Sequence, residues 1–253
     1  MQDSRIEQIE PSGEEKISSG ELDYTITNER IEAVEAGFGM GLSTHPTRIL
    51  AVGGSGDIPF ALLQYAEVDV VDINPAQVAF ILQRAEQLKS GDYSGFLNPD
   101  VRGKNDGDEQ VYAYSKSKRD KYFLTVRRLD RIRASLDRLK VRPAADIREV
   151  LKEDRKYSGI YLSNVLGLVG IESKVREDLD HAERRLQDYD GLLYIANGTQ
   201  IESVIQRNQA TTGLKLPKLG LDRNLTIAAR HFGGSLGGLP AVYRKIPNAT
   251  ARL

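Results

Sequence analysis

The sequence is first informative for the residue types that it lacks. None of its 253 residues is cysteine, which excludes disulfide bonds, cysteine-ligated metals and a thiol nucleophile. Its three histidines, His45, His181 and His231, are too far apart to show zinc-site spacing, so we expect no metal. No apolar run approaches the roughly 18 residues that a membrane span needs. The first residues also lack the basic and apolar regions of a signal peptide, and we therefore expect a cytoplasmic protein.

The net charge of −1 conceals two segments of opposite charge. Residues 1–36 contain ten acidic and three basic residues, whereas residues 115–155 contain fourteen basic and seven acidic residues. A basic segment can bind nucleic acid. Here its charges alternate with leucine and isoleucine at helical spacing, which favours a solvated helix face, so we expect no nucleic-acid partner.

The most informative stretch is an apolar run that ends in Gly53, Gly54 and Gly56 and is followed by a helix and a second apolar run. That second run ends in Asp72, about the distance at which a second strand brings a carboxylate to a ribose. Glycine permits a sharp turn and lets a ligand lie against the backbone. The pattern predicts the nucleoside-binding corner of a Rossmann-like sheet.

Asp57 narrows the choice of ligand class, because it lies in the first turn of the helix after the glycines. A carboxylate there would repel the phosphates of NAD or a nucleoside triphosphate but would tolerate the cation S-adenosylmethionine (SAM). An acid also complements the helix dipole for purely structural reasons, and both interpretations remain open.

Alternating strands and helices predict an α/β fold, the Rossmann-like fold of SAM-dependent methyltransferases, with a mostly parallel sheet that ends in an antiparallel hairpin. We expect an acidic helical leader or lid over residues 1–45 and a SAM-binding domain over 46–253, with an insertion at about 90–140. Residues 90–112 have a loop composition, and a long helix is predicted from 117 to 140. The predicted strands are 48–53, 68–72, 141–144, 158–164, 192–196, 225–231 and 241–246.

A resemblance rests on the run Asp72-Ile-Asn74-Pro-Ala-Gln77 and on Asp92-Tyr-Ser-Gly-Phe-Leu97 after the following helix. Together with the glycine loop, these runs resemble the family of SAM:diacylglycerol 3-amino-3-carboxypropyltransferases, which start betaine-lipid synthesis. The match covers residues 45–97 well and 140–170 loosely. The resemblance implies attack on the γ-carbon of the methionine chain, with release of methylthioadenosine. The lipid-handling portion of that family is not evident here, which favours a small or intramolecular nucleophile over diacylglycerol.

Two enzymatic hypotheses follow, and both involve a small-molecule substrate. The sequence does not indicate the oligomeric state. The first is aminocarboxypropyl chemistry, either transfer to a small nucleophile or cyclisation of SAM to azetidine-2-carboxylate. The second is a small-molecule methyltransferase, which the fold alone would favour.

Candidate site residues come from the strand ends. Asp72 is expected to accept the ribose hydroxyls, and Asn74 either contacts the nucleoside or caps the helix that begins at Pro75. Asp146, followed by Ile147, either binds the adenine amino group or caps its own helix. Asn164, Ser163 and Ser203 are the predicted catalytic residues, because neutral acceptors at a strand end can hold the amino-acid part of SAM. Four tyrosines in lid-like segments are candidates to contact the sulfonium, namely Tyr24, Tyr93, Tyr112 and Tyr114.

Overall fold

A seven-stranded sheet organises the chain in this computed structural model, which describes residues 21–40, 46–163, 172–188, 190–199, 201, 218–233 and 238–246. The strands are β1 (Arg48–Val52), β2 (Glu67–Val71), β3 (Leu139–Val141), β4 (Gly159–Leu162), β5 (Leu192–Ile195), β6 (Leu219–Leu221) and β7 (Ala241–Lys245). Their order across the sheet is β3-β2-β1-β4-β5-β7-β6. The first five are parallel, and β7 is antiparallel to both of its neighbours. The sheet confirms the predicted Rossmann-like methyltransferase fold with an antiparallel end.

Helices cover both faces of this sheet. They are α1 (Ile31–Gly37), α2 (Asp57–Leu62), α3 (Pro75–Ser90), α4 (Tyr93–Leu97), α5 (Glu109–Phe123), α6 (Arg128–Arg133), α7 (Ile147–Val150), α8 (Glu172–Arg185) and α9 (Arg223–His231). Successive strand residues belong to different core clusters: Ile49 packs in one and Leu50 in the other. Because side chains alternate across a strand, both faces of the central strands are apolar and buried. Within the described residues, no helix combines the length and hydrophobicity needed to cross a membrane.

The predicted strand at 225–231 is wrong, because these residues form helix α9. Asp222 caps it by accepting the backbone N–H of Leu225 at 3.1 Å. The buried positions Leu225, Thr226 and Ala229 lie on one helical face, whereas Ile227, which a strand with alternating burial would bury, is 67% exposed. The antiparallel end is instead formed by β6 and β7, with α9 between them.

The predicted long helix at 117–140 is also wrong. Helix α5 ends at Phe123, and Arg127 adopts a left-handed φ of 58°, which interrupts the helical path before α6. Of the apolar residues at helical spacing in this segment, Leu124 is 65% exposed, whereas Leu129 and Ile132 are buried. A short 3-10 turn then leads into β3, which begins two residues before the predicted strand at 141–144.

One smaller prediction also needs correction. Residues 90–112, expected to be a loop, contain α4 and the start of α5. In the leader, helix α1 begins at Ile31 after Arg30. Its residues Ile31 and Val34 pack in the main core, so this part of the leader belongs to the hydrophobic interior.

Candidate ligand-binding site

A cavity of about 540 Å³ lies at the carboxyl ends of β1, β2 and β4. Three segments line it: the strand ends with the glycine loop, residues 145–148 after β3, and a leader segment. We call residues 22–29 of the leader the strap. Ligands bind at this edge of open α/β sheets, and the volume suits a small molecule.

The glycine loop brings the backbone directly to the cavity. Gly54 adopts a left-handed φ of 48°, which an ordinary side chain would disfavour. A Cβ placed there would meet no atom within 4 Å, so the loop borders open space at this residue. Gly53 and Ser55 line the cavity beside it. A ligand can therefore lie against the backbone of Gly54.

Asp72 is fixed against the glycine loop. Its Oδ2 accepts the N–H of Gly54 at 2.9 Å, and its Oδ1 accepts the N–H of Asn74 at 2.9 Å. Burial raises the pKa of this carboxyl, although the two backbone donors act in the opposite direction. Each carboxylate oxygen has more than one acceptor site, so Asp72 can still accept hydrogen bonds from a ligand in the cavity.

Residues 145–148 supply a second wall. Asp146 caps α7, since its Oδ1 accepts the N–H of Arg148 at 2.9 Å, and it also lines the cavity. Ile147 is buried beside it. The Arg148 side chain lies 3.1 Å from Asp178 (Nε to Oδ2) and 3.5 Å from Asp146 (Nη1 to Oδ2). Asp146 therefore caps α7 and lines the cavity at the same time.

The two polar residues of the Asn-Pro-Ala-Gln run bind the strap. Asn74 caps α3 by accepting the N–H of Ala76, and its side-chain amide donates to Asp23 Oδ2 at 2.8 Å. Gln77 is fully buried. Its Oε1 accepts the N–H groups of Asp23 and Tyr24, each at 3.1 Å, and its Nε2 donates to the carbonyl of Tyr24 at 2.6 Å. The run thus fixes the strap at the N-terminus of α3.

Two further carboxylates hold the strap. Asp106, from the insertion, accepts the N–H of Thr25 at 2.9 Å and also the Thr25 hydroxyl. Asp57, at the start of α2, accepts the N–H of Thr27 at 2.9 Å. Side chains from α2, α3 and the insertion therefore converge on one short segment and keep it across the cavity.

Asp57 has a different electrostatic role from the one that the sequence suggested. It is completely buried, and its Oδ1 lies 2.8 Å from Nη2 of Arg84, which is also buried. The guanidinium centre lies 4.1 Å from the ring centroid of Phe96. Because Arg84 compensates the charge of Asp57, this carboxylate gives no argument against a phosphate ligand.

Glu29 is the site residue that the sequence did not reveal. It comes from the strap, lines the cavity and is only 7% exposed. Its Oε2 accepts the hydroxyl of Tyr161, and its Oε1 accepts the hydroxyl of Ser163, both at 2.6 Å. Burial raises the pKa of Glu29. No local spacing connects residue 29 with residues 161 and 163, so only the fold could bring them together.

The predicted site residues divide into three groups. Gly53, Gly54, Asp72, Asp146, Ile147 and Ser163 line the cavity together. Gly56 is the residue just before α2 and Asn74 caps α3, and neither belongs to the lining that the described residues form. Asn164 and Ser203 lie outside the described residues.

Of the four candidate tyrosines, Tyr24 lines the cavity. The others have contacts elsewhere: Tyr93 donates to Asp130, Tyr112 lies under Arg102, and Tyr114 lies under Lys118. The described residues contain no cluster of three or more histidine, aspartate or glutamate side chains that could hold a metal ion.

Acidic side chains dominate the ionisable groups of the cavity. Asp23, Glu29, Asp72 and Asp146 line it, against the single cation Arg148 among the described lining residues. Arg148 is itself paired with Asp178 and Asp146, and Asp23 is paired with Lys104 at 2.9 Å, which leaves Asp72 and Glu29 as the lining acids without a cation beside them among the described residues. A cavity with this charge attracts a cationic ligand and disfavours an anion.

Neither a family model nor a curated protein sequence matches this chain. Among solved structures, it is similar to the N-methyltransferase NodS from Bradyrhizobium japonicum WM9 in complex with S-adenosyl-L-homocysteine, with 13% identity, 85% of each chain covered and a TM-score of 0.45. It is also similar to a TehB-like SAM-dependent methyltransferase from Corynebacterium glutamicum ATCC 13032, with 15% identity, 85% and 87% coverage and a TM-score of 0.44. The [4+2]-cyclase SpnF shows 10% identity, 80% and 75% coverage and a TM-score of 0.43. Similarities this weak leave the function to be argued from the site.

Proposed function

We propose that this protein binds SAM in the cavity and catalyses attack on the γ-carbon of its methionine chain, which releases methylthioadenosine. The observation that carries SAM binding is the pairing of the open turn at Gly54 with the fixed carboxylate of Asp72, at the edge of an acidic cavity. A carboxylate at the end of the second strand suits the ribose hydroxyls. The acidic lining suits the sulfonium and ammonium charges.

In this proposal, three groups of residues divide the ligand between them. The ribose lies against Asp72, and the adenine lies against Asp146 and Ile147. The methionine chain extends toward Ser163, which follows β4 directly at the same edge of the sheet. Asn164 and Ser203 remain predicted partners of Ser163 in holding the amino-acid end.

The chemistry requires positioning above all. The lone pair of the nucleophile forms a bond to the γ-carbon, the bond between that carbon and sulfur breaks, and its electron pair stays on sulfur as neutral methylthioadenosine. Because the departing thioether is neutral, it needs no protonation. All three carbons on the sulfonium are activated, so the enzyme selects the carbon that faces the nucleophile in line, at about 3–3.5 Å.

The resemblance of the Asn74–Gln77 run to the aminocarboxypropyltransferases supports the γ-carbon as the site of attack. The nucleophile is either a small amine or alcohol or the α-amine of SAM itself. In the second case a four-membered ring closes to azetidine-2-carboxylate, and the attacking amine loses one proton overall. That amine must be neutral when it attacks. Neutral side chains around it suit this form, because a carboxylate would favour the ammonium.

Product analysis tests this proposal. Purified protein is incubated with SAM alone and with a panel of small amines and alcohols, and the products are identified by mass spectrometry. We expect methylthioadenosine, together with azetidine-2-carboxylate or an aminocarboxypropyl adduct. Accumulation of S-adenosylhomocysteine in its place would establish methyl transfer.

A pair of variants links the products to the cavity. Asp72→Asn should weaken SAM binding about ten- to hundredfold, because it removes a charge-assisted contact to the ribose. Asp108→Asn is the matched control, since Asp108 also accepts two backbone N–H groups but does so at the start of α5, outside the described cavity lining. Equal binding by the two folded variants would contradict the assignment of Asp72.

A further inference from the structure

Glu29 combines burial with a fixed position inside the cavity. Both carboxylate oxygens accept hydroxyl donors, from Tyr161 and Ser163, and its own N–H donates to Thr27 Oγ1 at 3.1 Å. The strap that carries it is itself held by Gln77 and Asp57. The carboxylate therefore has one defined place at the end of β4.

Among the residues that the structure describes, no cationic side chain compensates the charge of Glu29. Two other buried carboxylates have cations beside them, Arg84 for Asp57 at 2.8 Å and Arg155 for Asp69 at 2.9 Å, whereas buried Asp106 is held by three donors from Thr25 and Gly103. Glu29 has only the two neutral hydroxyls. A buried charge without a partner is costly, whereas a cation that enters the cavity would compensate it.

An aromatic side chain adjoins the same carboxylate. Tyr161 donates its hydroxyl to Glu29 and lines the cavity, and its ring is supported by Tyr194 at a centroid distance of 5.8 Å. Tyrosine rings attract cations through the ring quadrupole. A carboxylate held by two hydroxyls beside the ring of Tyr161 is a combination that suits a sulfonium or an ammonium group.

We propose that Glu29, held by the hydroxyls of Tyr161 and Ser163, forms a subsite that binds a positively charged centre in the methionine chain of the ligand. This inference rests on the proposed SAM site and adds to it the residue that recognises the ligand's charge. It gives the strap a function in ligand selection, since the strap delivers the carboxylate.

Three adenosyl ligands that differ in their positive charges show which charged centre Glu29 binds. SAM carries a sulfonium and an α-ammonium, S-adenosylhomocysteine carries only the ammonium, and methylthioadenosine carries neither. Calorimetry with each ligand is performed on the wild type and on Glu29→Gln, which keeps the side-chain shape and removes the charge. We expect SAM affinity to fall about ten- to hundredfold, with methylthioadenosine affinity changed less than about threefold. The result for S-adenosylhomocysteine identifies which cation Glu29 binds: a matching loss of affinity assigns the ammonium, which a carboxylate would keep protonated and which therefore excludes cyclisation by the α-amine, whereas an unchanged affinity assigns the sulfonium.

Glu35→Gln is the matched control. Glu35 is a second glutamate whose pKa is raised by burial and that accepts a tyrosine hydroxyl, from Tyr122, but it is not among the described residues that line the cavity. This variant should bind all three ligands as the wild type does. If Glu29→Gln does not fold, Glu29→Asp retains the charge but withdraws it by one methylene, and it should weaken SAM more than methylthioadenosine.

The outcomes distinguish the inference from the proposed function. Equal weakening of SAM and methylthioadenosine, or unchanged SAM affinity, would overturn the cation subsite and leave SAM binding intact. A folded wild type that binds none of the three ligands would overturn the proposed function itself.

Discussion

Gln77 provides the most direct test of how the strap is held. Its side chain is buried and makes three hydrogen bonds, all to the backbone of Asp23 and Tyr24. Gln77→Leu has a similar volume but can neither donate nor accept. The variant would leave two N–H groups and one carbonyl of the strap without these partners while the apolar packing of α3 is largely kept.

The expected effect follows from the cost of such groups. An unsatisfied buried polar group costs about 1–3 kcal/mol, and several of them share one segment. The strap can avoid this cost by leaving the cavity and exposing its backbone to water. We therefore expect the equilibrium for local strap opening to increase by roughly 5- to 150-fold, the factor that corresponds to about 1–3 kcal/mol.

Amide hydrogen exchange measures this opening residue by residue. In Gln77→Leu, the amides of residues 22–29 should exchange faster, while those of β1 and β4 should keep their wild-type rates. SAM affinity should fall as well, because an open strap withdraws Glu29 and Tyr24. Gln83→Leu, an exposed glutamine on the same helix, is the control and should change neither quantity.

Two results would refute this reasoning. If the strap amides exchange as slowly in Gln77→Leu as in the wild type, these hydrogen bonds do not hold the strap. If the amides of the central strands accelerate by the same factor as those of the strap, the variant destabilises the whole fold and shows nothing specific about the strap.

Two further predictions concern charge. Arg84→Met should lower the free energy of unfolding in urea by about 3–5 kcal/mol, because it leaves Asp57 buried without its cation. Adding Asp57→Asn should recover part of that loss. If the destabilisations caused by the two substitutions are strictly additive, the pairing is contradicted. Burial raises the pKa of Glu29, so the affinity for SAM should rise as the pH increases above the usual titration range of a glutamate and Glu29 ionises. Burial also raises the pKa of Asp72, which contacts the ribose in both ligands, so the pH dependence of methylthioadenosine affinity reports Asp72, and Glu29→Gln should remove only the additional rise seen with SAM. The raised pKa means that folded Glu29 binds protons more tightly than unfolded Glu29, so its contribution to stability falls as the pH rises through its titration, and Glu29→Gln should remove that contribution.

The central sheet could be predicted because its signals are local. Apolar runs that end in glycines or an acid define β1 and β2, and Pro75 marks the start of α3. The errors arose where a local pattern fits two structures. The apolar positions from Leu225 to Ala229 fit a strand as well as a helix, and only the cap at Asp222 and the packing of α9 decide between them.

The site was predictable at the strand ends and not in the strap. Gly54, Asp72 and Asp146 reach the cavity through the topology of the fold, which their position after each strand already implies. Glu29 reaches it through tertiary contacts with residues more than one hundred positions away. Arg84 was missed for a related reason: it lies in the interior of α3 among ordinary helix residues, and only tertiary packing places it beside Asp57.

The Asn-Pro-Ala-Gln run connects these contacts into a single physical argument. Its Asn74 and Gln77 side chains bind the strap, and Gly54 and Asn74 donate to the carboxylate of Asp72. The same short segment therefore fixes both Asp72 and the strap that carries Glu29. If Asp72 binds the ribose and Glu29 binds the charged chain, the start of α3 sets the distance between the two ends of the ligand. That distance decides which carbon of the sulfonium is presented to a nucleophile, which is the property that separates γ-carbon attack from methyl transfer.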